Sequence, residues 1–208
     1  MTLDEMAIRR RRFLGMVRRR VGPGLGSGRQ WMEERMASRQ WPDLTGVLEG
    51  LRWAVAGDVA IRAYGPERHT RDLDVVILKR DSLQARNRLK ASGHELVQEL
   101  AIGGSVWRDA DGEMIDVIEL DAPWSEDALG DLGRDAQGLP VLSLPYLTLM
   151  KVASGRTQDL ADVSRMMGLA SEADRARVAS LFSTWMPEAL EDLKALIELG
   201  VLEWGSES

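Results

Sequence analysis

The sequence predicts an α/β (α+β) fold: a small mixed β-sheet flanked by helices, with a helical C-terminal part and a basic helical N-terminal arm. Three observations carry this prediction. Short apolar runs rich in Val and Ile alternate with helix-type segments between Trp53 and Leu142. Beyond Leu142 the pattern turns helical almost to the end. The charge is also divided: residues 1–40 hold ten arginines against Asp4, Glu5, Glu33 and Glu34, a balance of +6 inside a chain of net charge −6. The expected organisation is an arm at 1–50, an α/β core at 51–142 and a helical region at 143–208.

Taken in order, residues 4–20 read as a helix with Met6, Phe13, Leu14, Val17 and Val21 as an irregular apolar stripe. Gly22-Pro-Gly-Leu-Gly-Ser-Gly28 is a break or hinge. Helices at 29–38 and 44–51 lead into a strand at Trp53–Ala56, which breaks at Gly57 into a helix over Asp58–Tyr64. Asp72–Lys79 is the next strand, and Asp81 is placed to cap a helix ending near Gly93. Strands at 95–102 and 104–108 follow, then a tight turn at Asp111-Gly112 before a strand at 114–120. Residues 122–138 read as an acidic loop with a helical turn at 125–132, and Pro140–Leu142 as a short strand. Pro145 suits the first turn of a helix that turns Leu147, Leu149, Met150 and Val152 inward, and helices near 158–167, 171–182 and 187–199 complete the chain.

Composition narrows the chemistry. The chain of 208 residues has no cysteine, which excludes disulfides, thiolate metal sites and a cysteine nucleophile. His69 and His94 are too few for a multi-histidine zinc site and read as surface residues, so any metal should be a hard ion held by oxygen. No apolar run approaches the roughly 20 residues that span a bilayer, and no apolar segment follows the N-terminal arginines as a secretory signal requires. A cytoplasmic protein without a membrane partner is the expectation. The scattered tryptophans, Trp31, Trp41, Trp53, Trp107, Trp124, Trp185 and Trp204, are expected mostly in core packing. The arginines at 9–12 and 18–20 suit either RNA or the acidic core of this chain or a dimer partner, the second being favoured because the arm lacks interleaved aromatics.

Three aspartates stand out. Asp72 and Asp74 open the run Asp72-Leu-Asp-Val-Val-Ile-Leu78, and Asp116 lies inside Met114-Ile-Asp-Val-Ile118. Residues two apart on a strand share a face, so Asp72 and Asp74 project side by side, where Asp116 can join them from a neighbouring strand. Carboxylates about 4 Å apart repel by roughly 1 kcal/mol in water and about 4 kcal/mol at an effective dielectric near 20. Three in one cleft would partly protonate or bind divalent cations, and two Mg²⁺ ions so held favour in-line displacement at phosphorus. Gly57 at the preceding strand-to-helix break leaves room for phosphate.

The set Gly57-Asp-Val-Ala, Tyr64-Gly65, Arg68-x-Thr70, Asp72-Leu-Asp74 and Asp116 resembles the nucleotidyltransferase fold of the DNA polymerase beta-like superfamily. The stretch from Ser143 through Lys151-Val-Ala-Ser-Gly-Arg156 to Asp159 and Asp162 is similar to a helical segment of its small prokaryotic members, the minimal and abortive-infection toxin-type enzymes and antibiotic nucleotidyltransferases. The resemblance covers roughly residues 52–167. It implies that Asp72, Asp74 and Asp116 are catalytic and bind Mg²⁺, Asp116 also helping to deprotonate the acceptor. It implies that Gly57 and the following Asp58 lie against the triphosphate, and that Arg68, Thr70, Lys151 and Arg156 line the nucleotide, with Asp159 and Asp162 orienting Lys151 or Arg156. One position departs from the pattern: Asp58 stands where the superfamily has Gly or Ser.

The implied activity is Mg²⁺-dependent transfer of a nucleoside monophosphate from an NTP such as ATP to a hydroxyl on a small molecule, protein or RNA, with release of pyrophosphate. A homodimer or a toxin–antitoxin partner would suit that branch. The alternatives are a catalytically silent nucleotide- or partner-binding module, which Asp58 favours, and RNA binding through the arginine-rich arm.

Overall fold

The computed structural model describes residues 40–66 and 70–205; the expected N-terminal helices and hinge, Trp31, Arg68 and His69 lie outside the described residues. These comprise two compact units that divide between Ser143 and Leu144.

The first unit is built on a seven-stranded mixed sheet of β1 (Trp53–Val55), β2 (Asp72–Leu78), β3 (Glu95–Glu99), β4 (Gly104–Arg108), β5 (Met114–Leu120), β6 (Leu132–Arg134) and β7 (Pro140–Leu142). Its order is β3-β4-β5-β2-β1-β7-β6. At its centre β2 runs parallel to β5 and antiparallel to β1, and β5 is antiparallel to β4. The two central strands carry apolar residues at alternate positions, Leu73, Val75 and Ile77 beside Ile115 and Val117, all buried. Helix α2 (Ser82–Ala91) lies on this face: Ala85 and Leu89 are buried, and Ser82 and Arg86 bond Glu119, which has the same strand parity. The opposite face carries Asp72, Asp74 and Asp116.

Several local expectations are corrected. Residues 44–51 form hydrogen-bonded turns, not a helix; Leu48 N–H donates to Leu44 O, and Gly50 takes a φ of 73° that ends the turn. These residues join the sheet unit, with Trp41, Leu44 and Leu48 buried and Trp41 N–H donating to Gln137 at 3.1 Å. The helix expected at Asp58–Tyr64 is a single turn, α1 (Gly57–Ala60), that tightens to 3-10 form over Ile61–Ala63. Asp81 makes no side-chain cap, because a 3-10 turn at Lys79–Asp81 delivers the chain into α2 already in helical conformation. The strand expected over 95–102 ends at Glu99, where Leu100–Gly103 turns the chain back. Within the acidic loop, α3 (Ser125–Ala128) is followed by β6, a strand that the Gly- and Asp-rich sequence concealed.

The second unit contains helices α4 (Leu144–Ser154), α5 (Thr157–Leu169), α6 (Glu172–Trp185) and α7 (Leu190–Trp204). Their apolar faces bury Leu147, Leu149, Val152, Val163, Met166, Phe182 and Leu196. Helices α5 and α7 meet backbone to backbone: a Cβ on Gly200 would fall 1.9 Å from Ser164 O, and one on Gly168 2.1 Å from Gly200 O. Trp41, Trp53 and Trp107 are buried, as core tryptophans should be; Trp124, Trp185 and Trp204 are partly exposed, and Arg165 stacks on Trp204 at 5.2 Å. Among the described residues no helix is long and apolar enough to cross a membrane.

Candidate active site

The parallel pairing of β2 with β5 sets the site. Asp74 and Asp116 are register partners, and Asp72 pairs with Met114, so the three aspartates share one face over two adjacent strands. Neighbouring strands lie about 4.8 Å apart, which brings Asp74 and Asp116 together across the strand pair. All three are half-buried, between buried residues that face the other way. Register alone sets the three on this face.

Each aspartate is held differently. One oxygen of Asp72 accepts from Thr70 Oγ1 and from Arg71 N–H, both at 3.1 Å. Thr70 thus fixes the orientation of a carboxylate. Asp74 has its backbone carbonyl bonded by Ala56 N–H at 2.8 Å, and its side chain lies against Gly57. A Cβ at Gly57 would stand 1.8 Å from Asp74 Oδ2, and Gly57 has a φ of 58°, so glycine is required twice over. Asp116 accepts no hydrogen bond among the described residues. Burial, and after it the charge of Asp72, pushes its carboxyl above the ordinary range.

This donor set fits a hard divalent cation. It offers carboxylates on one sheet face without histidine or sulfur, and Asp116 among them is half-buried with a like charge nearby and no hydrogen-bond donor among the described residues. Asp58 sits half-buried in the first turn of α1, immediately after Gly57.

Within the helical unit the residues expected downstream form an ion-paired cluster. Lys151 Nζ is buried and donates to Asp159 Oδ1 and Asp162 Oδ2, both at 3.0 Å. Asp159 also accepts from Ser154 Oγ and Arg156 Nε, each at 2.5 Å. Burial drives the Asp159 carboxyl upward, but the Ser154 hydroxyl, Lys151 and Arg156 outweigh it and hold it below the usual range. Two cations meet two carboxylates, and only the Arg156 side chain is open to solvent, at 74% exposure. Sequence reasoning missed Tyr64 as a structural residue; its hydroxyl donates to Leu142 O at 2.7 Å and packs under Gly133.

No family model and no curated protein matches the chain. Solved structures do. It is similar to ANT(2″)-Ia in complex with adenylyl-2″-tobramycin, at 15% identity over 75% of this chain and 93% of that one, with a TM-score of 0.40. It is similar to the lincosamide antibiotic adenylyltransferase LnuA with lincomycin bound, at 10% identity over 63% and 85%, with a TM-score of 0.38. A third is terminal uridylyl transferase 4 from Trypanosoma brucei with bound GTP, at 13% identity over 95% and 70%, with a TM-score of 0.29. Likeness at this level does not carry a function; the residues must.

Proposed function

We propose that this chain is a nucleotidyltransferase that moves a nucleoside monophosphate from an NTP to a hydroxyl acceptor and releases pyrophosphate. The reading is carried by one observation: Asp74 and Asp116 in register on parallel strands, with Asp72 on the same face and Gly57 pressed against Asp74. A metal-free hydrolase or a simple binding module has no use for unneutralised carboxylates gathered on a sheet face.

Asp72, Asp74 and Asp116 would hold Mg²⁺, two ions in the reading that the sequence resemblance supplies. When bound, Mg²⁺ would neutralise charge on the transferred phosphoryl group and its leaving group. The chain's own residues do the rest. Thr70 and Arg71 N–H fix the Asp72 carboxylate, and Gly57 lets Asp74 stand upright beside the first turn of α1. Asp116, on the strand next to Asp74, takes the acceptor hydroxyl proton as the new P–O bond forms and the bond from the α-phosphorus to pyrophosphate breaks.

The nucleotide-binding roles of Asp58, Arg68, Thr70, Lys151 and Arg156 rest on the sequence resemblance and are proposed with it. So are a cytoplasmic location and a toxin-type role with a protein partner or a second copy. The test of the main reading is labelled-NTP transfer with release of pyrophosphate. Asp72→Ala and Asp74→Ala should abolish both while retaining the wild-type circular dichroism spectrum. Full turnover by either variant would remove the assignment. Isothermal titration with Mg²⁺ and each of the four NTPs tests the silent-module reading, which no binding of any of the four would favour.

A further inference from the structure

The same register that gathers the aspartates also places a residue that the sequence did not single out. On β5, Met114 pairs with Arg108 of β4 and Asp116 pairs with Val106; on β3, Glu95 pairs with Arg108. Register partners point to the same face of a sheet. A row therefore runs across four adjacent strands, Asp72, Met114, Arg108, Glu95, on the face that carries the three aspartates. Arg108 is the diagonal neighbour of Asp116 on β4, a separation of about 7–8 Å that long side chains bridge. Its side chain is 47% exposed, and its partner among the described residues is the still more exposed Glu95, at 3.3 Å. Rim pairs of this kind hold loosely and exchange readily.

The position of Arg108 relative to Gly57 gives it a role. In strand order Gly57 follows β1 on one flank of β2, whereas β5 and β4 lie on the other. In an in-line displacement the attacking and leaving oxygens lie on opposite sides of phosphorus. With the triphosphate on the Gly57 flank, the acceptor approaches over β5 and β4, where its hydroxyl meets Asp116 and its neighbouring atoms meet Arg108. We infer that Arg108 determines acceptor specificity: its guanidinium leaves Glu95 and binds an anionic or carbonyl oxygen of the acceptor one strand away from the reacting hydroxyl. This rests on the nucleotidyltransferase reading. Glu95 stands beside Arg108 on the same face, and Asp116 lies one diagonal away, so a single such group is accepted more readily than the run of phosphates at an RNA end.

The experiment uses the full-length protein, NTPs labelled at the α-phosphate, and the RNA, protein and small-molecule fractions of a cell lysate as acceptor probes. Transfer is compared with NTP hydrolysis, in which water replaces the acceptor. Arg108→Ala should raise the KM for the labelled acceptor about tenfold, the loss of one charge-assisted hydrogen bond, and leave the KM for NTP and the hydrolysis rate unchanged. Arg108→Lys should recover part of the loss. Glu95→Gln should not raise the acceptor KM, whereas a merely structural role of the ion pair would make it mimic Arg108→Ala. Wild-type transfer that Arg108→Ala leaves intact, an equal rise in both KM values, or a Glu95→Gln variant as impaired as Arg108→Ala overturns this inference alone. Absence of both transfer and hydrolysis by the wild type overturns the underlying reading together with it.

Discussion

Asp116→Asn should stabilise the protein in the absence of metal. Asp116 is half-buried, accepts no hydrogen bond among the described residues, and stands in register with Asp74 and diagonal to Asp72. At a carboxylate separation near the strand spacing of about 5 Å, repulsion is about 0.8 kcal/mol in water and about 3 kcal/mol at an effective dielectric near 20. Partial exposure puts the relevant value between these limits, at about 1–2 kcal/mol. Asparagine keeps the shape and removes the charge. For a chain of this size such a gain raises Tm by roughly 3–6 °C. Differential scanning calorimetry at neutral pH with EDTA measures it directly. Added Mg²⁺ should raise the wild-type Tm and move Asp116→Asn much less, since stabilisation by a ligand follows its affinity for the native state. A variant less stable than wild type in EDTA, or one that responds to Mg²⁺ as strongly, would refute the account of Asp116 as a strained metal ligand.

Three further substitutions test the packing around and beyond the site. Gly57→Ala places a Cβ 1.8 Å from Asp74 Oδ2 at a φ of 58°; it should cost about 1–2 kcal/mol in urea unfolding and abolish transfer, because the carboxylate must move. Gly200→Ala drives the α5–α7 backbones apart and should lower stability by about 1–3 kcal/mol in the same measurement. Thr148 is fully buried, and its hydroxyl has no hydrogen-bond partner among the described residues; Thr148→Val keeps its shape and should raise Tm by a few degrees, about 1 kcal/mol.

What the sequence made legible follows from how each feature is encoded. The central strands were readable because both their faces are specified: buried Leu73, Val75, Ile115 and Val117 alternate with three carboxylates that have no reason to lie in an ordinary strand. Their parallel pairing was not readable, yet it alone decides that Asp74 meets Asp116 and Asp72 meets Met114. Slipping the register by one residue would turn Asp116 into the core. Strand β6 escaped because three residues between glycines and aspartates carry no periodicity; it exists because β7 offers a ladder for it. The short α1 escaped for a related reason. Its sequence favours a longer helix, but Tyr64 is drawn to Leu142 O and Arg62 to Asp135 and Gln137, and the chain tightens to meet them. Arg108 was invisible as a site residue, since nothing in its neighbourhood in the chain marks the strand it faces.

The two sets of aspartates look alike in sequence and differ in energetics. In the helical unit, Asp159 is taken from water but met by Ser154, Lys151 and Arg156, which keep its carboxyl ionised below the usual range. Its folded-state pKa is depressed, so it contributes stability above its unfolded pKa and loses that contribution as pH falls through the folded value. In the sheet unit, Asp116 is taken from water and met by Asp72, another anion. Its folded-state pKa is raised, so in the metal-free protein it costs stability at neutral pH, and acidification through that folded value relieves the cost. A carboxylate of the first kind holds a fold together. One of the second kind is kept against the interest of the fold, a cost that a bound cation would remove. The opposite signs set the two apart energetically: Asp159 is held ionised by its partners, whereas Asp116 carries a charge that Mg²⁺ would neutralise under the proposed function.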